Sequence, residues 1–95
     1  MAAAKPRTFD LHWGSGIIAE EVRYQSEHHV PAIQLLEFTE GEIAGSVSIR
    51  FCDYDHRGRF QRHPLIVSED DIAGLKAALE GSPRLKELLR TLVAD

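Results

Sequence analysis

The hydrophobic period of this chain changes once, at Ser68, and no other feature constrains the fold as much. Ahead of that residue apolar side chains recur at every second position; beyond it they recur at intervals of three and four. A period of two marks a strand with one face against a core, and a period of 3.6 marks an amphipathic helix. Strands gathered ahead of helices, rather than alternating with them, define the α+β class.

The helical part is the more sharply written. Ser68 is placed to cap a first helix over 69–80, with Asp71 as the reciprocal half of a capping box. Glu69, Asp70 and Asp71 set negative charge on the positive end of the helix dipole. Ile72, Leu75 and Leu79 form its apolar stripe, and Gly81 stops it. Ser82 and Pro83 open a second helix over 83–94, with Leu85, Leu88, Leu89, Leu92 and Val93 on one wide face. Each of these side chains contributes ~1.5–3 kcal/mol when buried. A domain of ~5–15 kcal/mol net stability cannot leave them all in water. The expectation is an αα-hairpin packed over one face of a sheet.

That sheet reads as a four- or five-stranded antiparallel β-meander over 8–13, 17–25, 32–39, 42–53 and 59–67. Phe9, Leu11 and Trp13 share one face of the first strand, and Gly14-Ser15-Gly16 supplies a turn. In the second, Ile18, Val22 and Tyr24 make an apolar face that Glu20 interrupts, which predicts a β-bulge near Ala19–Glu20 turning the carboxylate to solvent. Ser26 to Val30 reads as a polar loop. Ala32 to Thr39 is apolar on both faces and belongs near the centre of the sheet. Glu40-Gly41 makes a tight turn. In the fourth strand Ile43, Val47, Ile49 and Phe51 oppose Ser46, Ser48 and Arg50, with Gly45 marking a bulge or a close approach. Asp55-His56-Arg57-Gly58 is a hairpin loop, and Pro64 bends the last strand or sends it to an edge.

Ninety-five residues, 43% of them hydrophobic and 27% charged, suit one domain, here 8–95 behind a flexible tail at 1–7. The net charge of −4 argues against a general polyanion binder. A single cysteine excludes an internal disulfide. With no apolar leader and no run of ~20 apolar residues, the sequence predicts a cytoplasmic protein without membrane contact.

Chemistry, if present, concentrates between Arg50 and His63. Arg50, Arg57, Arg59, Arg62 and His63 stand among Phe51, Tyr54 and Phe60, a pattern that could meet phosphates and stack on bases. The plainer reading is a solvated hairpin whose arginines pair with Asp53 and Asp55. Cys52, Asp53, Asp55 and His56 are ligand or nucleophile types, and His28-His29 is a second pair. Yet no metal-binding spacing occurs, and alternation sends Cys52 and Asp53 to opposite faces. Cys52 with His56 or His63 is the one nucleophile–base pairing available to a small enzyme. No cofactor or metal is expected. The meander would set Glu37, Glu40 and Glu42 at one pole and Arg57, Arg59 and Arg62 at the other, a polarity suited to self-pairing. The expected role is a non-catalytic interaction module, a homodimer or a partner of another protein. Nucleic acid or an anionic ligand on the 50–63 hairpin is the alternative.

Overall fold

The computed structural model describes residues 7–61 and 64–94. Five strands, β1 (Thr8–Leu11), β2 (Gly14–Arg23), β3 (Val30–Glu40), β4 (Val47–Tyr54) and β5 (Leu65–Ser68), pair antiparallel in chain order. A 3₁₀ turn over Glu69–Asp71 leads into α1 (Ile72–Leu79), and α2 (Pro83–Val93) follows. The α+β meander with two C-terminal helices is therefore the architecture of the chain.

Several boundaries move for local reasons. The first hairpin turns at His12 and Trp13, with Leu11 opposite Gly14, so the glycine triplet opens β2 instead of forming the turn. Gly16 is needed there because a Cβ would stand 1.9 Å from the Glu37 carbonyl oxygen of β3. The aromatic rings of Phe9 and Phe38 meet edge to face across β2, with centroids 4.9 Å apart. Val30 and Pro31 belong to β3 and not to the preceding loop; the Pro31 carbonyl accepts from Tyr24 N–H at 3.0 Å. Residues 42–46, expected as strand, form a turn. Phe38 N–H donates to Ser46 O and Gly45 N–H to Phe38 O, and Gly45 takes φ +93° with open space around it. Phe60 keeps only an isolated bridge to Tyr54, and β5 begins after Pro64.

The bulge falls between Ile18 and Glu20, and Glu20 is exposed as expected. It also separates Ile18 from Val22. Ile18 packs with Phe9, Leu36 and Phe38, while Val22 lies across from Ile33 on the other side of the sheet. The register thus defines two faces. The Gln34 face carries Phe9, Ile18, Glu21, Ala32, Gln34, Leu36, Phe38, Arg50 and Tyr54. The Ile33 face carries Val22, Ile33, Leu35, Ile49, Phe51 and Leu65.

Burial runs against polarity. Leu36, Gln34, Arg50, Tyr54 and Phe38 are all buried, although Gln34 and Arg50 are polar. On the Ile33 face Val22 is 64% and Leu65 62% exposed. The helices do little to cover it. Neither contains a buried residue, and only Leu79 of their apolar stripes is even half-buried. Ser68 does cap the first turn, accepting from Asp70 N–H at 3.2 Å, but Asp71 adds no side-chain cap bond. The expectation of helices packed over one face is met at two points only: Leu92 lines a groove with Val22, Ile33 and Phe51, and Gly74 and Leu75 of α1 stand beside Ile66 and the buried Val67 of β5. The physical reason is placement: α1 leaves from β5, the edge strand, and covers only the Ile66–Val67 end of it, while α2 contributes Leu92 alone to the groove on the sheet. Consequently the chain exposes 7716 Å², where a compact monomer of its 10.7 kDa exposes about 5,500 Å². Its radius of gyration is 15.1 Å, against about 12 Å for a compact chain of this length.

Candidate functional site

Two arrangements stand out: a polar network inside the Gln34 face, and the uncovered Ile33 face with its helices. The first absorbs residues that looked like a ligand site. Arg50 Nε donates to Gln34 Oε1 at 2.7 Å, and its guanidinium lies 4.9 Å from the Phe60 ring centroid. Gln34 Nε2 donates to Glu21 Oε2 at 2.5 Å and to the Tyr54 hydroxyl at 2.9 Å. Glu21 Oε1 also takes Arg7 Nη1 at 2.5 Å and Arg23 Nε at 3.1 Å. The Arg23 guanidinium stacks 3.9 Å from the Tyr54 centroid. Arg7, placed by the sequence in a loose tail, is instead part of this network. Its carbonyl accepts from Ile18 N–H and its Nη2 donates to Tyr54.

Burial works to raise the Glu21 carboxyl. The hydrogen bonds from Gln34 and Arg23 and the charges of Arg7 and Arg23 outweigh it, leaving the group below its ordinary value. The hydrogen bond to Tyr54, the largest influence on Arg7, holds that guanidinium above its own ordinary value. Among the described residues no buried side-chain nitrogen or oxygen lacks a partner. Such a satisfied network orders the sheet.

The remaining hairpin residues disperse. Asp55 Oδ1 accepts from the backbone N–H of Arg57 and Arg59, and Asp55 Oδ2 pairs with Arg59 Nε at 2.6 Å. The backbone N–H of Arg59 leads the influences that pull the Asp55 carboxyl down. His56 Nε2 sits 2.8 Å from Ser26 O, tying the loop to the β2–β3 connection. Asp53 lies on the opposite face from Cys52 and meets His29 Nδ1 at 2.7 Å. Cys52 packs against Val30, Ala32 and Tyr54. Burial, foremost, pushes its thiol up, away from a neutral-pH thiolate. Among the described residues no group of three metal-ligating side chains converges. Arg62 and His63 lie outside the described residues. Glu40 and Glu42 do stand at the opposite end of β4 from Arg57 and Arg59, but Asp53 and Asp55 share the arginine end and soften the polarity.

The second arrangement is apolar. A groove of about 540 Å³ opens between the sheet and α2, lined by Val22, Tyr24, Ile33, Phe51 and Leu92 among others. Around it the strand side chains of the Ile33 face include the carboxylates Asp10, Glu20, Glu37 and Asp53, while Arg23, whose side chain belongs to the Gln34 face, also lines the groove. α2 carries Arg84, Lys86 and Arg90 against Glu87 alone, with Lys86 paired to Glu80 at 2.5 Å and Arg90 to Glu87 at 3.1 Å. The sequence shows the leucine stripes and leaves open whether their own sheet or a partner covers them.

A small α+β meander with an internally closed polar face and an open apolar one is the class that this geometry defines. No protein-family model, curated protein or solved structure matches the chain. Among the described residues no helix is long and apolar enough to cross a membrane.

Proposed function

We propose that this chain is a non-catalytic self-association module, a homodimer whose interface is formed by the Ile33 face and the two helices. The observation that carries the reading is the apolar surface left outside the fold. Val22, Phe51 and Leu65 on the sheet are exposed together with Ile72, Leu75, Leu85, Leu88, Leu89, Leu92 and Val93 on the helices. Monomeric proteins rarely show a contiguous apolar patch above a few hundred Å². The chain exposes roughly 2,200 Å² more than a compact monomer of its mass, polar and apolar surface together. Small domains commonly complete their cores in this way, and twofold pairs are the most frequent result. The satisfied polar network and the raised thiol of Cys52 support a binding role over catalysis.

Sedimentation equilibrium of the full chain tests this. A mass of twice 10.7 kDa is expected, and 10.7 kDa at every concentration would overturn the reading. Arg57→Glu should leave the mass unchanged, because Arg57 lies in the loop beyond β4 and outside the proposed interface. Salt-sensitive retention of single-stranded DNA, lost in that variant, would favour the hairpin alternative instead.

A further inference from the structure

We infer that the two copies exchange helices: α2 of each chain lies in the groove of the other, its leucines against Val22, Ile33 and Phe51. The inference rests on the self-association reading and specifies how the surfaces meet. Among the described residues, each chain carries one apolar sheet face covered only in part and one helix stripe left exposed. The two are matched in kind, so a twofold pair satisfies both at once. Sheet-to-sheet pairing would leave the helices in water, and helix-to-helix pairing would leave the groove open. The chain's own α2 enters the groove with Leu92 alone, while Leu88 remains 69% exposed.

Charge supports the same assignment. A sheet-to-sheet interface would bring the carboxylates Asp10, Glu20, Glu37 and Asp53 of one copy toward those of the other, like charge toward like. A crossed arrangement sets that acidic rim against the net positive α2, where Arg84 stands with Lys86 and Arg90, the last two shared with Glu80 and Glu87 of their own chain. Three residues, Glu80 to Ser82, separate the helices, and neither Glu80 nor Gly81 is buried. The connection can therefore reorient without breaking a packed core. Exchange of an identical element is a low-cost route to a dimer.

Disulfide trapping in a Cys52→Ala background decides the matter, with the melting transition of that background checked against the native chain. One full-length chain carries Val22→Cys and a second, of distinguishable mass, carries Leu88→Cys; both sites are exposed. The two are mixed, unfolded, refolded together and oxidised. The expected product is a covalent pair joining the Val22→Cys chain to the Leu88→Cys chain. A chain carrying both changes that instead closes on itself at monomer mass would overturn the exchange. So would pairs formed only between like chains, although these would leave self-association standing. Monomeric mass without any cross-link would remove self-association as well as the exchange.

Discussion

Leu35 and Leu36 are neighbours on the central strand, and they live in different environments. Leu36, on the Gln34 face, is fully buried between Phe9 and Phe38, whereas Leu35 is half-buried on a face that, among the described residues, is covered only in part. The contrast extends across the sheet. The closed face holds a glutamine, two tyrosine- or phenylalanine-stacked arginines and a glutamate; the open face sets exposed Val22, Phe51 and Leu65 among the carboxylates Asp10, Glu20, Glu37 and Asp53. Burial is therefore governed by whether each group finds its complement. Polar groups can be enclosed once every donor and acceptor is matched, and apolar groups stay exposed until a surface arrives to cover them.

The largest test of that contrast uses the neighbouring leucines. Leu36→Ala should destabilise the fold by about 3 kcal/mol, read as a lower denaturant midpoint at every protein concentration. Leu35→Ala should weaken association first, with its loss of stability appearing only where the native chain is dimeric. Equal, concentration-independent losses would erase the distinction between the faces. Next comes Glu21→Leu, which removes the shared acceptor of Gln34 and the counter-charge of Arg7 and Arg23. Leaving buried donors unmatched should cost about 2 kcal/mol, with the dimer mass unchanged. Gly16→Ala forces the β2 and β3 backbones apart at Glu37 and should cost roughly 1–3 kcal/mol, measured by the same unfolding curves.

The smallest effect is pH dependence. The Glu21 carboxyl is held below its ordinary value in the folded chain. Its contribution is thus fully present above the unfolded value of about 4.3 and is lost as pH falls through the folded one. Stability should decline in that acid range, and Glu21→Gln should flatten the decline. An unaltered acid slope in the variant would show that Glu21 is not the group responsible.

Period and punctuation made much of the architecture legible: the order of the hairpins, the bulge after Ile18, the Ser68 cap and the Pro83 start of α2. Spacing alone could not say which face of β4 turns inward, because Ile49 and Phe51 alternate with Ser48 and Arg50 as cleanly as in any half-buried strand. The polar side closed because Arg50, Gln34, Tyr54 and Glu21, from three strands, meet at bonding distance. That is a property of register, set by the bulge that moves Glu21 onto the Gln34 face. The arginines near Asp55 were visible as a group, but the loop geometry that spends Arg59 on Asp55 was not. The open groove was hidden for a related reason. A leucine stripe shows that a helix must be covered, and does not show by what.

The most direct measurement is the thermal unfolding midpoint of the native chain followed over a wide range of protein concentration. If the Ile33 face is closed by a second copy, the midpoint rises with concentration, since association stabilises the folded state by mass action. A midpoint that stays fixed from dilute to concentrated solution would mean that the chain folds alone, and that its apolar face needs no second copy.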